Sequence, residues 1–201
     1  MKKIILASSS PRRKELLELI KIPFTVHPSK AEEVIEKDAS PEDVVEQLAM
    51  IKAKEVSSYY QDGIIIGGDT IVVYNDVILG KPKDEEEAFS MLKMLQGNVH
   101  QVYSGVALVD AKTGKSLAAH QVTNVYMSSL TDDEINLYIK TKEPMDKAGS
   151  YGIQGYGALF IEKIEGDYFN VVGLPLSLLK TLFEKFGINI MKGILHPKSK
   201  V

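Results

Sequence analysis

Lys3-Ile4-Ile5-Leu6-Ala7-Ser8-Ser9-Ser10-Pro11-Arg12-Arg13-Lys14 decides the fold class, because an apolar run passes through three hydroxyls into a helix start. Residues 3–6 read as a short strand, Ser10 as an N-cap and Pro11 as a first helical residue, so a strand hands over to a helix here. The unpaired amides of a helix start carry partial positive charge. Arg12, Arg13 and Lys14 in that first turn therefore cost roughly 0.3–1 kcal/mol each unless an anion lies nearby. Helix amides, seryl hydroxyls and forked guanidinium groups together suit a polyphosphate. A solvated basic turn on a surface helix is the plainer reading, and this stretch alone leaves both open.

Outward from it, strand and helix patterns alternate without repeats or low-complexity linkers, which is an α/β pattern. Residues 24–27 read as a second strand, followed by the acidic loop Lys30-Ala31-Glu32-Glu33. Ser40-Pro41-Glu42-Asp43 caps a helix running to about Val56. Residues 63–68 form a buried-strand pattern that continues past Asp69-Thr70 through 71–74 to an Asn75-Asp76 turn. Gly80-Lys81-Pro82 interrupts it, and a helix over about 84–96 ends at Gly97. Residues 99–109 and 116–127 read as a long hairpin, and 131–140 as a capped helix. Residues 143–157 are irregular and glycine-rich, and long ordered loops of this kind are usually functional. Strands over 158–164 and 168–172, a helix over 175–186 and a loose tail after about 190 complete a single domain of residues 1–201.

The composition is that of an ordinary soluble domain: 201 residues, 44% hydrophobic, with 24 basic and 27 acidic residues for a formal charge of −3. No global field is available to hold a polynucleotide, so any basic patch is local. The absence of cysteine removes disulfides, thiol nucleophiles and cysteine-ligated zinc, and fits a reducing cytosol. The apolar runs are too short for a membrane span, and the one after Met1-Lys2-Lys3 is too short for a signal peptide. A cytoplasmic protein without membrane contact is expected.

Asp69 follows an apolar strand and the pair Gly67-Gly68, where small residues let a ligand approach the backbone. Its carboxylate suits a base or a metal ligand. With Glu33 or Glu32 it supplies the one or two carboxylates that a polyphosphate-bound magnesium takes from a protein. Taken alone, an aspartate at this place fits an Asx-turn better. Lys52 and Lys81 are candidates for phosphate contact, although most lysines are merely solvated.

Four segments in order and in register now carry a resemblance: residues 6–17, Gly68-Asp69-Thr70, Gly80-Lys81-Pro82 and Asp146-Lys147-Ala148-Gly149-Ser150-Tyr151-Gly152-Ile153-Gln154-Gly155. Over about residues 3–186 the chain resembles the Maf proteins, nucleoside triphosphate pyrophosphatases. The resemblance implies an inosine triphosphate pyrophosphatase-like fold, an elongated mixed sheet flanked by helices, with two lobes and a central cleft. It also implies hydrolysis of a nucleoside triphosphate to the monophosphate and pyrophosphate with a divalent metal, Mg2+ or Mn2+, and a homodimer. The family is linked to inhibition of septum formation, so a nucleotide-sensing regulator acting through a protein partner is the alternative.

Carried over residue by residue, the resemblance makes Asp69 the proton acceptor and ties Arg12, Thr70 and Gln154 to base choice. Ser8, Arg13, Glu33, Lys52, Lys81 and Lys147 line the site. Arg12, Thr70 and Gln154 together look like the subgroup acting on dTTP and UTP. Ser9 stands where Gln or Gly is common and Gly68 where Ala is common; both changes are small. For Gln154, the flanking glycines let a flat ligand approach an amide that offers both donor and acceptor. The plain alternative is an amide that ties down its own loop.

Other motifs lead nowhere. Thr113-Gly114-Lys115-Ser116 mimics the end of a phosphate-binding loop, but Val109 stands where the first glycine is needed and a hairpin turn is expected. No Gly-x-Gly-x-x-Gly occurs. His27, His100, His120 and His196 lack ligand spacing and read as packing or surface residues.

Overall fold

The structure is a computed structural model that describes residues 2–35 and 39–195. The opening strand is β1 (Ile4–Leu6), wholly buried, and helix α1 (Pro11–Leu19) follows with Ser10 as N-cap, its hydroxyl accepting from the Arg13 amide. β2 (Thr25–Val26) is shorter than expected, and α2 (Pro41–Ser57) starts on Ser40, which accepts from the Asp43 amide. β3 (Ile64–Tyr74) is one unbroken strand through Gly67, Gly68, Asp69 and Thr70. It turns at Asn75 and Asp76, both at positive φ, into β4 (Val77–Leu79). α3 (Glu85–Leu95) is capped by Asp84, and α4 (Asp132–Lys140) by a reciprocal Thr131–Glu134 box. Between those helices β5 (Val99–Asp110) and β6 (Ser116–Met127) are the expected long strands.

The sheet order is β2-β1-β3-β5-β6-β7, with β7 spanning Ile161–Glu165 and β4 pairing with β3. β1 runs parallel to β2 and β3, whereas β3–β4 and β6–β7 are antiparallel. This is the mixed sheet with flanking helices expected of the α/β class. Two compact units divide the described chain. One takes in residues within Met1–Asp69, Gly105–His120 and Gly173–Val201, and the other Thr70–Ser104 and Gln121–Val172. In the first, Ile5, Ala7, Ala49, Ala53, Ile65 and Ala107 belong to one buried cluster. In the second, Val72, Leu92, Val102, Val125, Ile135 and Tyr138 do so.

Small residues set how closely α2 lies on the sheet. A Cβ at Gly67 would stand 2.0 Å from the Ala49 carbonyl oxygen, and one at Gly105 2.2 Å from that of Val45. Only glycine on β3 and β5 permits this backbone-to-backbone contact.

Residues 168–172, expected as a strand, form the short helix α5 (Tyr168–Val172). Aromatic and β-branched composition favours a strand here, but tertiary partners override it. The Asp167 carboxylate accepts from the Phe169 amide at 2.8 Å, and the buried Asn170 side chain donates to the Val102 carbonyl at 2.9 Å. Residues 158–164 are likewise strand only from Ile161, because Gly155–Phe160 is a 3-10 turn. α6 (Leu176–Lys185) follows, and the tail expected to be loose carries α7 (Ile190–Leu195).

Candidate active site

In the first unit the Ser8 hydroxyl, 8% exposed, accepts from the Ser10 amide at 3.1 Å and from the Arg13 guanidinium at 3.2 Å. Arg13 also donates through Nε to the Gly173 carbonyl at 2.8 Å. Desolvation pushes Arg13 below its ordinary value and Arg12 adds repulsion, while Asp69 and Glu33 act the other way. Guanidinium stays charged regardless. Arg12 is half-buried on the same helix start. Lys14, the third cation of the motif, is exposed and lies 3.6 Å from Glu18; it takes no part in the cradle.

Lys52 rises from the face of α2 seated on Gly67. Its ammonium is 2.6 Å from Asp69 Oδ1 and 2.9 Å from Glu33 Oε1, with the Lys52 and Asp69 side chains only 15% and 12% exposed. Glu33, half-exposed, is thus the member of the Glu32-Glu33 pair that reaches Asp69's cation. Its loop is held by the Lys30 amide on the Glu55 carboxylate at 3.2 Å and by Ser29 accepting from the Ala31 amide at 3.1 Å.

Two carboxylates sharing one cation are a hard-oxygen donor set. Among the described residues no group of three or more His, Cys, Asp or Glu could hold a metal. A hard divalent cation that takes one or two carboxylates from the protein and its other oxygens from phosphate would suit such a pair.

The remaining candidates belong to the second unit. Thr70 Oγ1 is 2.8 Å from the buried Ser104 Oγ. Lys81 is exposed between β4 and α3, and the Gly80 carbonyl just before it accepts from the Gly149 amide at 3.0 Å. Lys147 is held inside its own loop, its ammonium donating to the Glu143 carbonyl at 2.6 Å and the Asp146 carboxylate at 2.7 Å. Gln154 is half-buried and extended, and makes no cap hydrogen bond to the 3-10 turn it precedes.

Glu143 organises that loop and had no motif to mark it. Its carboxylate accepts from Tyr138 Oη at 2.9 Å and from the Tyr156 and Gly157 amides at 2.9 and 3.0 Å. Burial pushes its pKa up, yet these donors outweigh burial and hold it below the ordinary carboxylate range. Ser104, Thr123 and Asn170, at most 1% exposed, form a second polar group whose only sequence signal is polarity inside apolar runs.

The histidines pair singly: His27 with Tyr60 at 3.0 Å, His120 with Glu46 at 2.7 Å, and buried His100 through Nε2 with Tyr151 at 2.6 Å. His196 lies outside the described residues. No helix among the described residues is long and apolar enough to cross a membrane.

The model of the Maf-like protein family matches residues 3–186. A dTTP/UTP pyrophosphatase of Alkaliphilus oremlandii (strain OhILAs) is 54% identical over 193 residues, 95% of this chain and 100% of that protein. One from Geobacillus sp. (strain WCH70) is 57% identical over 177 residues, 88% of this chain and 94% of that protein. Among solved structures, the Staphylococcus aureus Ham1 protein superposes with a TM-score of 0.50 at 12% identity, covering 92% of this chain and 100% of that one. At that identity the likeness is one of fold.

Proposed function

The chain belongs to the Maf family, and from that membership we propose that it hydrolyses dTTP and UTP to the nucleoside monophosphate and pyrophosphate. The observation that carries this reading is the convergence of Lys52 on Asp69 and Glu33 in a chain so similar to dTTP/UTP pyrophosphatases. Ser8, Arg12, Arg13, Lys52, Lys81 and Lys147 bind the triphosphate. Asp69 holds a water in line with the α-phosphorus and takes its proton. The new bond joins that water oxygen to the α-phosphorus, and the bond from it to the α,β-bridging oxygen breaks. Pyrophosphate leaves with the bridging oxygen.

Glu33 and Asp69 would hold magnesium or manganese together with phosphate oxygens, and such an ion would supply Lewis acidity and neutralise charge on the leaving group. A carboxylate is a weak base, so the main work of Asp69 is orientation. Arg12, Thr70 and Gln154 meet the base. The whole chain acts as one catalytic domain, in the cytoplasm and as a homodimer, on free nucleotides rather than polynucleotides.

Turnover of dTTP in 18O-labelled water tests the reading. Label in dTMP with release of pyrophosphate supports it. Orthophosphate as the first product overturns it, and tight nucleotide binding without turnover points to a sensor.

A further inference from the structure

The segment that carries Gln154 is closed at its base. A Cβ at Gly157 would stand 2.4 Å from the Gly152 carbonyl oxygen and 3.1 Å from the Gly152 nitrogen, so the two glycines meet backbone to backbone. Gln154 lies between them, extended at φ −100° and ψ 161°, and Gly155 follows at φ +73°. Both arms of this small loop end on one pair of side chains. On one arm the Gly152 amide donates to Tyr138 Oη at 3.3 Å, and the Tyr138 hydroxyl donates to Glu143 Oε1 at 2.9 Å. On the other, the Tyr156 amide donates to Glu143 Oε2 at 2.9 Å and the Gly157 amide to Oε1 at 3.0 Å. Amides only donate and an ionised carboxylate only accepts, so the direction of each bond is fixed. A Cβ at Gly155 would stand 2.4 Å from Glu143 Oε2, which sets the carboxylate directly against the residue after Gln154. Burial, the bond to Glu143 and its charge push the Tyr138 pKa up, so the phenol keeps its proton.

Removing this pair would leave Gln154 its side chain and take away what fixes the backbone that bears it. On the reading that Gln154 meets the base, we infer that Glu143, relayed by Tyr138, is a positioning residue that sets where Gln154 presents its amide to the bound nucleotide. Charge matters here as well as shape. The carboxylate spreads three donors over both oxygens, whereas a glutamine at 143 keeps one acceptor oxygen and turns its own N–H groups toward a remaining donor. One arm of the loop then loses its tie, and Gln154 shifts at the tip.

The test is a double-mutant cycle of Glu143→Gln with Gln154→Ala, read as kcat/KM for dTTP. Beside it runs the inhibition constant of inorganic tripolyphosphate, which has phosphates and no base. Glu143→Gln should lower kcat/KM about tenfold, mainly through KM, in the wild-type background, and by less than about twofold in Gln154→Ala. Tripolyphosphate should inhibit all four proteins within about twofold of one another, because Lys147 is tied to the Glu143 backbone carbonyl, which the substitution leaves in place. Tyr138→Phe removes a single hydroxyl; it should couple to Gln154→Ala in the same sense, and it carries the cycle where Glu143→Gln does not fold. No loss in the wild-type background, equal losses in both backgrounds, or a parallel loss of tripolyphosphate affinity would each overturn the inference alone. Gln154→Ala with the wild-type kcat/KM for dTTP overturns it together with the base contact on which it rests. A wild type that releases pyrophosphate from no nucleoside triphosphate removes the proposed function as well.

Discussion

The ammonium of Lys52 stands 2.6 Å from Asp69 Oδ1 and also holds Glu33, so one lysine occupies the charge-balancing place between the two carboxylates proposed to hold a metal. Lys52→Met removes that cation from a largely buried site. Titration with Mn2+ in the absence of nucleotide should then show tighter metal binding than wild type, while turnover of dTTP falls by about 10- to 100-fold through loss of a charge-assisted phosphate contact. Unchanged metal affinity would mean that Lys52 and the metal do not compete.

Asp69→Asn keeps the size of the side chain and removes its charge. Affinity for an α,β-imido dTTP analogue should stay within a few-fold of wild type, because the cationic cradle is intact, while kcat falls about 100-fold or more. Turnover near the wild-type rate would take the proton-acceptor role away from Asp69.

Gly67→Ala puts a methyl group where the Ala49 carbonyl oxygen would be 2.0 Å away. Backbone cannot yield as a side-chain tip does, so the variant should lose about 1–3 kcal/mol in urea unfolding and, with α2 displaced, much of its kcat. A stable, fully active variant would show that helix and strand tolerate a wider spacing.

His100 is 2% exposed, and burial pushes its pKa down to about 4. The unfolded chain, near 6.5, binds the proton that the folded chain refuses. Stability should therefore fall as pH drops from about 6.5 to about 4 and level off below, by about 3 kcal/mol at most. His100→Phe should flatten that slope whatever its absolute stability; an equal slope in both proteins would assign the loss to other groups.

Gln154 makes no cap hydrogen bond to its own turn, so its loss should cost little stability. Gln154→Ala should lower rates on dTTP and UTP and narrow the gap to purine triphosphates by about 1–3 kcal/mol in relative transition-state binding, with metal dependence unchanged. Lower melting temperature with the wild-type substrate order would make Gln154 a loop tie instead.

What could be read from the sequence was mostly local. Ser10-Pro11 and Ser40-Pro41 mark helix starts by chemistry within four residues, and both caps form as expected. Asn75-Asp76 marks its turn in the same way, through tolerance of positive φ. Residues 168–172 misled because their composition suits a strand, while contacts to Val102 and Asp167 decide otherwise. Family motifs marked Lys52 and Asp69, but their meeting depends on glycines in β3 and β5. No motif marked Ser104 and Asn170, 66 residues apart, because buried polar pairing has no period.

The seating of α2 on Gly67 and Gly105 has a mechanical consequence. Where backbone meets backbone, no rotamer or packing void lies between helix and sheet to take up compression. Hydrostatic pressure acts mainly by eliminating voids, so it should unfold other parts of the chain before it changes the spacing that carries Lys52 to Asp69. Under high-pressure NMR the Ala49 and Gly67 resonances should shift linearly and little, while better-voided regions bend away from linearity, and the lysine–aspartate pair would behave as the stiffest joint of its unit.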